Sequence, residues 1–190
     1  MGFGWRYCSV MSLIPLGILA AAGGATGSYE SIASATGTGS SGTITFSSIP
    51  STYASLQVRF NVLNSSTSGF LRYQLNGDTG ANYAIHRLDA DGSAVAAAGA
   101  TGIAYGQLSL GSPDANNPYV GIIDIHDYAS TTKYKTNRTF WGRDTNGAGN
   151  LALASSLWLN TAAVNSITIF WSSNNFTTSS TVSLYGIKGA

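Results

Sequence analysis

From Thr43 to Ile187 the chain reads as short β-type runs broken by turn residues, and few folds accept that pattern. The clearest run is Leu56-Gln57-Val58-Arg59-Phe60-Asn61-Val62. Its alternation places Leu56, Val58, Phe60 and Val62 on one face of a strand. Thr43-Ile44-Thr45-Phe46 alternates in the same way, and Ile49-Pro50-Ser51-Thr52-Tyr53 follows as a turn, because proline cannot donate to a sheet ladder. Phe70 to Leu75 is a further strand, closed by the turn signal Asn76-Gly77-Asp78. The remaining expected strands are 83–88, 103–110, 119–126, 134–143, 151–159, 166–172 and 181–187. Strands so short, with turn clusters between them and no β-α-β alternation, predict a β-sandwich or barrel. The expected architecture is an all-β, jelly-roll-like antiparallel sandwich over residues 43–190.

The composition closes off the helical alternative. Glu30 is the only glutamate, and charged residues make up 9% of the chain against roughly 25% in typical soluble proteins. No stretch supplies the Glu, Lys, Arg and Gln that solvate the wet face of an amphipathic helix. With 190 residues there is room for one sizeable β domain and a short extension. The formal net charge of +1 provides no field to draw nucleic acid or an anionic membrane, so neither is expected as a partner. A surface built from hydroxyls, amides and small apolar groups suits a protein that buries much of its exterior against neighbours. Cys8 is the only cysteine, which rules out an internal disulfide and mildly favours assembly in a reducing cytoplasm.

Residues 1–24 have a different character. Arg6 precedes an apolar run from Val10 to Ala22 that ends in small residues, an arrangement that imitates a secretory signal peptide. The run is too short to cross a bilayer as a helix. Pro15, Gly17, Gly23 and Gly24 oppose a long regular helix. The expectation for residues 1–27 is a retained anchoring arm lying in a groove of a partner chain. Trp5, Tyr7, Leu13, Ile14, Leu16, Ile18 and Leu19 would make its contacts, and packing along its own domain is the alternative. Met11 offers a second possible start. Residues 28–42 form a linker rich in Gly, Ser and Thr or, around Tyr29–Ile32, a short edge strand.

Residues able to carry chemistry are few. Asp124 and His126 share one strand face, but His86 and His126 are the only histidines, too few for a structural zinc set of about four ligands. A histidine hydrogen-bonded to a neighbouring Asp or Arg is the expected state. Asn76-Gly77-Asp78 and Asp89-Ala90-Asp91-Gly92 resemble fragments of calcium loops, lack the distal glutamate, and read better as turns. No G-x-S-x-G elbow occurs, and the single glutamate leaves no convincing carboxylate pair for glycoside hydrolysis. A non-enzymatic protein with no cofactor and no metal is expected. Trp141, Trp158 and Trp171, with Tyr73, Tyr83, Tyr105 and Tyr119, would build a sugar-binding platform if exposed, although core or interface packing is the default for such residues. Three N-x-S/T sequons, at Asn64, Asn137 and Asn175, are ordinary in a chain so rich in Ser and Thr.

Several stretches resemble the virion proteins of tailed bacteriophages. They are Ser12 to Ile18 (SLIPLGI), Ser48 to Arg59 (SIPSTYASLQVR), Gln74 to Asp78 with Asn82-Tyr83 and His86-Arg87-Leu88, Ile123 to Ile125 with Tyr128-Ala129 and Lys133 to Thr136, and the ending from Phe176 to Gly189. The resemblance covers nearly the whole chain in a loose pattern without catalytic residues. It implies a virion component: a capsid decoration or cement protein, a head fibre or a tail-associated protein. Such proteins are small β-domains, often homotrimers, whose N-terminal arm contacts the particle. The expected partner is therefore the major capsid protein or another virion protein, and the expected location is the capsid surface after assembly in the bacterial cytoplasm. The alternative is a tail or fibre module that recognises cell-surface glycans. The ten residues before Met11 depart from the common start of these proteins.

Overall fold

The structure, a computed structural model, describes residues 27–109 and 116–189. The expected arm, with Trp5, Tyr7, Leu13, Ile14, Leu16, Ile18 and Leu19, lies outside the described residues. All regular elements among the described residues are strands: β1 (Tyr29–Thr36), β2 (Thr43–Phe46), β3 (Ser55–Val62), β4 (Leu71–Leu75), β5 (Tyr83–Ala90), β6 (Val95–Ile103), β7 (Gly106–Gln107), β8 (Tyr119–His126), β9 (Lys135–Asp144), β10 (Gly149–Trp158), β11 (Ile167–Trp171) and β12 (Thr181–Ile187). They form an eight-stranded sheet in the order β1-β12-β3-β8-β9-β10-β5-β6 and a four-stranded sheet in the order β2-β11-β4-β7. Every pairing is antiparallel.

The winding follows from that order. With β1 and β12 set aside, and with the meander β8-β9-β10 counted as one position, eight positions remain along the chain. The small sheet holds the first, eighth, third and sixth, and the large sheet holds the second, seventh, fourth and fifth. The chain thus crosses between the sheets in the manner of a jelly roll, with one strand expanded into three. The turn at Asn76-Gly77 makes one such crossing: both residues have positive φ (53° and 65°), and Asp78 N–H donates to Leu75 C=O at 3.0 Å.

One core fills the space between the sheets. The alternating faces of β3 (Leu56, Val58, Phe60, Val62) and β12 (Val182, Leu184) meet Ile44 and Phe46 of β2, Leu71, Tyr73 and Leu75 of β4, and Ile167, Ile169 and Trp171 of β11. The large aromatics sit here. Tyr119 meets the edges of Trp141 and Trp171, with ring centres 5.6 and 6.1 Å apart, and Trp158 stacks on Tyr83. Trp158 keeps its indole N–H satisfied by donating to Asp78 Oδ2 at 2.7 Å. Trp141, Trp158, Trp171, Tyr73, Tyr83 and Tyr119 are core residues, and half-buried Tyr105 lies under the Arg72 guanidinium, so these aromatics do not form an exposed platform.

Two strands differ from expectation. The run 103–110 does not form one strand; the chain instead makes β6 and then the two-residue β7. The stretch Val95 to Gly102 carries alanine and glycine, which have little strand preference of their own. It becomes a strand by pairing along β5 through a tight hairpin, where Gly92 takes φ +91° and Asp91 Oδ1 accepts from Ser93 and Ala94 N–H. At the other border, residues 29–36 form β1 along β12, with a register irregularity between Ser31 and Ala33.

Candidate functional site

The small sheet covers one face of the large sheet and leaves the other open. The side chains on that outer face follow from the strand registers. One row crosses the sheet as Ser183, Arg59, Ile122, Phe140, Leu153, Leu88 and Ala97. Its neighbour on one side runs Thr181, Asn61, Val120, Gly142, Leu151, Ala90 and Val95. On β8, β9, β10, β5 and β6 the two rows are apolar throughout. Phe140 (49%), Leu151 (49%), Leu153 (54%), Leu88 (50%) and Val120 (50%) each keep about half of their surface in water. Five large apolar side chains side by side make a contiguous patch, which monomeric proteins seldom leave uncovered. The surface is concave, with adjoining hollows of about 1200 and 560 Å³ that share Ile122 and Phe140.

The sequence of β10 explains why these residues face outward. In Gly149–Trp158, leucines at 151 and 153 alternate with Ala152, Ala154 and Ser156. Either face would satisfy an apolar alternation. Trp158, at the end of β10, is buried on the inner side with Trp141 and Tyr73 of neighbouring strands, and along the rest of β10 the inner positions Ala152, Ala154 and Ser156 are small. Asn137, Thr139 and Ser156 are buried on this inner side as well, and Asn137 Nδ2 donates to Tyr73 Oη at 2.8 Å. Burial raises the Tyr73 pKa, so this phenol stays protonated.

A polar border closes the other side of the apolar rows. The next row is Tyr185, Gln57, Asp124, Arg138, Ser155 and His86. Gln57 Nε2 donates to Asp124 Oδ1 at 2.7 Å, and Arg59 Nε donates to Gln57 Oε1 at 2.7 Å. The Arg59 guanidinium lies between the rings of Tyr29 and Tyr185, 5.1 and 4.8 Å from their centres. Asp124, considered with His126 for a metal, is thus bound to an amide, and His126 is exposed on the same strand. His86 packs over Gly99, where an added Cβ would come within 2.9 Å of the imidazole. Among the described residues, no group of three His, Cys, Asp or Glu side chains gathers in a way that could hold a metal.

The sequence places the expected interaction residues in the arm and does not single out Val120, Ile122, Phe140, Leu151, Leu153 and Leu88. A signal was present in Leu151 to Trp158, where apolar residues occupy both faces of the strand. Comparison with protein-family models, with curated proteins and with solved structures finds no match to this chain.

Proposed function

We propose that this chain is a non-enzymatic structural protein of a bacteriophage virion, a capsid decoration or cement protein whose sandwich docks on the protein shell. The observation that carries the reading is the half-exposed apolar block on the outer face of the eight-stranded sheet, centred on Phe140 and Leu153. Covering it with a partner surface removes apolar area from water, which favours docking by about 25 cal/mol per Å² buried. The low charge of the chain and the resemblance to tailed-phage virion proteins point the same way. The major capsid protein is the proposed partner, and the arm of residues 1–27 is proposed as a second contact.

Uptake by purified phage capsids, read by co-sedimentation, tests the reading. The full-length protein is expected to bind in many copies, and Phe140→Asp/Leu153→Asp is expected to lose at least tenfold in affinity while keeping its far-UV circular dichroism. Equal binding by this variant would overturn the docking face, and no binding by either protein would overturn the cement reading.

A second reading, a glycan-recognising module of a tail or fibre, is favoured by one feature. The larger hollow is rimmed by Asn61, Asp91 and Asp144 around the Phe140 ring, a mixture of hydrogen-bonding groups and one aromatic face that suits a sugar. Retention on a glycan array by a protein that capsids do not take up would favour it.

A further inference from the structure

The eight-stranded sheet has two edges, and they are built differently. At one end, β1 carries the devices that keep an edge from pairing further. Its register breaks between Ser31 and Ala33, and Glu30 is ion-paired to Lys188 at 2.8 Å. At the other end, β6 pairs with β5 alone, and among the described residues no strand lies beyond it. Among the described residues, its far side therefore has no strand to pair with its backbone N–H and C=O groups. From Val95 to Thr101 the register is unbroken, with no charge and no proline, and the irregularity comes only at Gly102 (φ +63°). At about 3.4 Å per residue, this straight edge is about 24 Å long.

We infer that β6 pairs with β6 of a second copy of this chain, antiparallel about a two-fold axis normal to the sheet. The two sheets then join into one. The axis keeps outer face with outer face, so the apolar outer faces of the two copies lie on the same side of the joined sheet. Self-pairing fits this strand because every residue meets an uncharged residue of the same edge, so neither like charges nor bulky groups oppose each other. Pairing of β6 with β1 of another copy would instead bring the free edge against a register break and an ion pair, and it would repeat without closure. The self-paired edge closes at two copies. The inference stands independently of the capsid reading, since it concerns how copies of the chain join before or without a shell.

Light scattering on size-exclusion chromatography of the full chain tests it. The expected species has twice the 19.6 kDa chain mass, and Ala97→Lys/Ala98→Lys is expected to raise the dimer dissociation constant at least tenfold with unchanged circular dichroism. Both positions are exposed, one on each face of the strand. Single cysteines at 96, 97, 98 and 100, each in a Cys8→Ser background, provide a readout that does not depend on the lysine variant folding. Oxidation is expected to give a cross-linked dimer at the one or two positions nearest the axis. A monomer at all concentrations, a trimer, or a dimer that no β6 cysteine cross-links would overturn the inference. None of these results bears on capsid uptake, so the two readings fail separately.

Discussion

Lys135 is buried within the sandwich, yet its ammonium lacks nothing. Nζ donates to the carbonyls of Ser130 (2.7 Å), Lys133 (2.7 Å) and Thr161 (3.1 Å), which uses all three of its donors. Burial lowers its pKa, and Asp127 acts in the opposite sense. Lys135→Met would leave three carbonyls without their donor, and a loss of about 3 kcal/mol is expected in urea unfolding. Asp78 is a second clasp. Burial pushes its carboxyl up, but bonds from Trp158, Asn82 and the Gly80 N–H outweigh it, so the folded pKa lies below the ordinary value of 3.8. A depressed carboxylate pKa stabilises the fold fully above the unfolded value, and that stability disappears as pH falls through the folded one. Asp78→Asn is therefore expected to be less stable than the parent at pH 7, by about 1 kcal/mol. The gap should narrow below about pH 4, a trend that urea titrations across pH would read. Neither clasp was legible in the sequence. Asp78 appears there only as part of a turn signal, and Lys135 as one more residue in an alternating run; the partners of Lys135 come from loops that the fold brings together.

Among the elements, legibility follows the contrast between alternate positions. β3 alternates without ambiguity, and β8 and β12 have the boundaries expected from the sequence. In β10 both sets of alternate positions mix apolar and polar residues, with Leu151 and Leu153 in one and Ala152, Ala154 and Trp158 in the other, so the outer face could not be read from sequence alone. β6 had no readable alternation because its side chains are nearly all small. Size also governs β8, where Gly121 lies opposite Phe60 and Trp141. A Cβ there would come within 2.7 Å of Trp141 Cβ and of the Phe140 carbonyl oxygen. Both are fixed by the sheet, so Gly121→Ala is expected to cost about 2 kcal/mol in chemical denaturation.

At the scale of the molecule, stability rests on burial and hydrogen bonds rather than on charge. The three side-chain ion pairs found among the described residues, Arg87–Asp89, Lys133–Asp127 and Lys188–Glu30, all involve partly or largely exposed groups. Such pairs contribute little and are screened by salt. The melting temperature is therefore expected to change by less than about 2 °C between about 0.05 and 0.5 M sodium chloride, by calorimetry. A larger drop would show that charge carries more of the fold than the geometry allows. The meander β8-β9-β10 has a further consequence at this scale. One strand replaced by three leaves the chain entering and leaving in the same directions, because an odd count preserves parity. The sheet can therefore widen in steps of two strands, about 10 Å each, without rethreading a single connection. Breadth becomes a quantity that a hairpin insertion can adjust while the winding stays fixed, and the same fold could be fitted to footprints of different size.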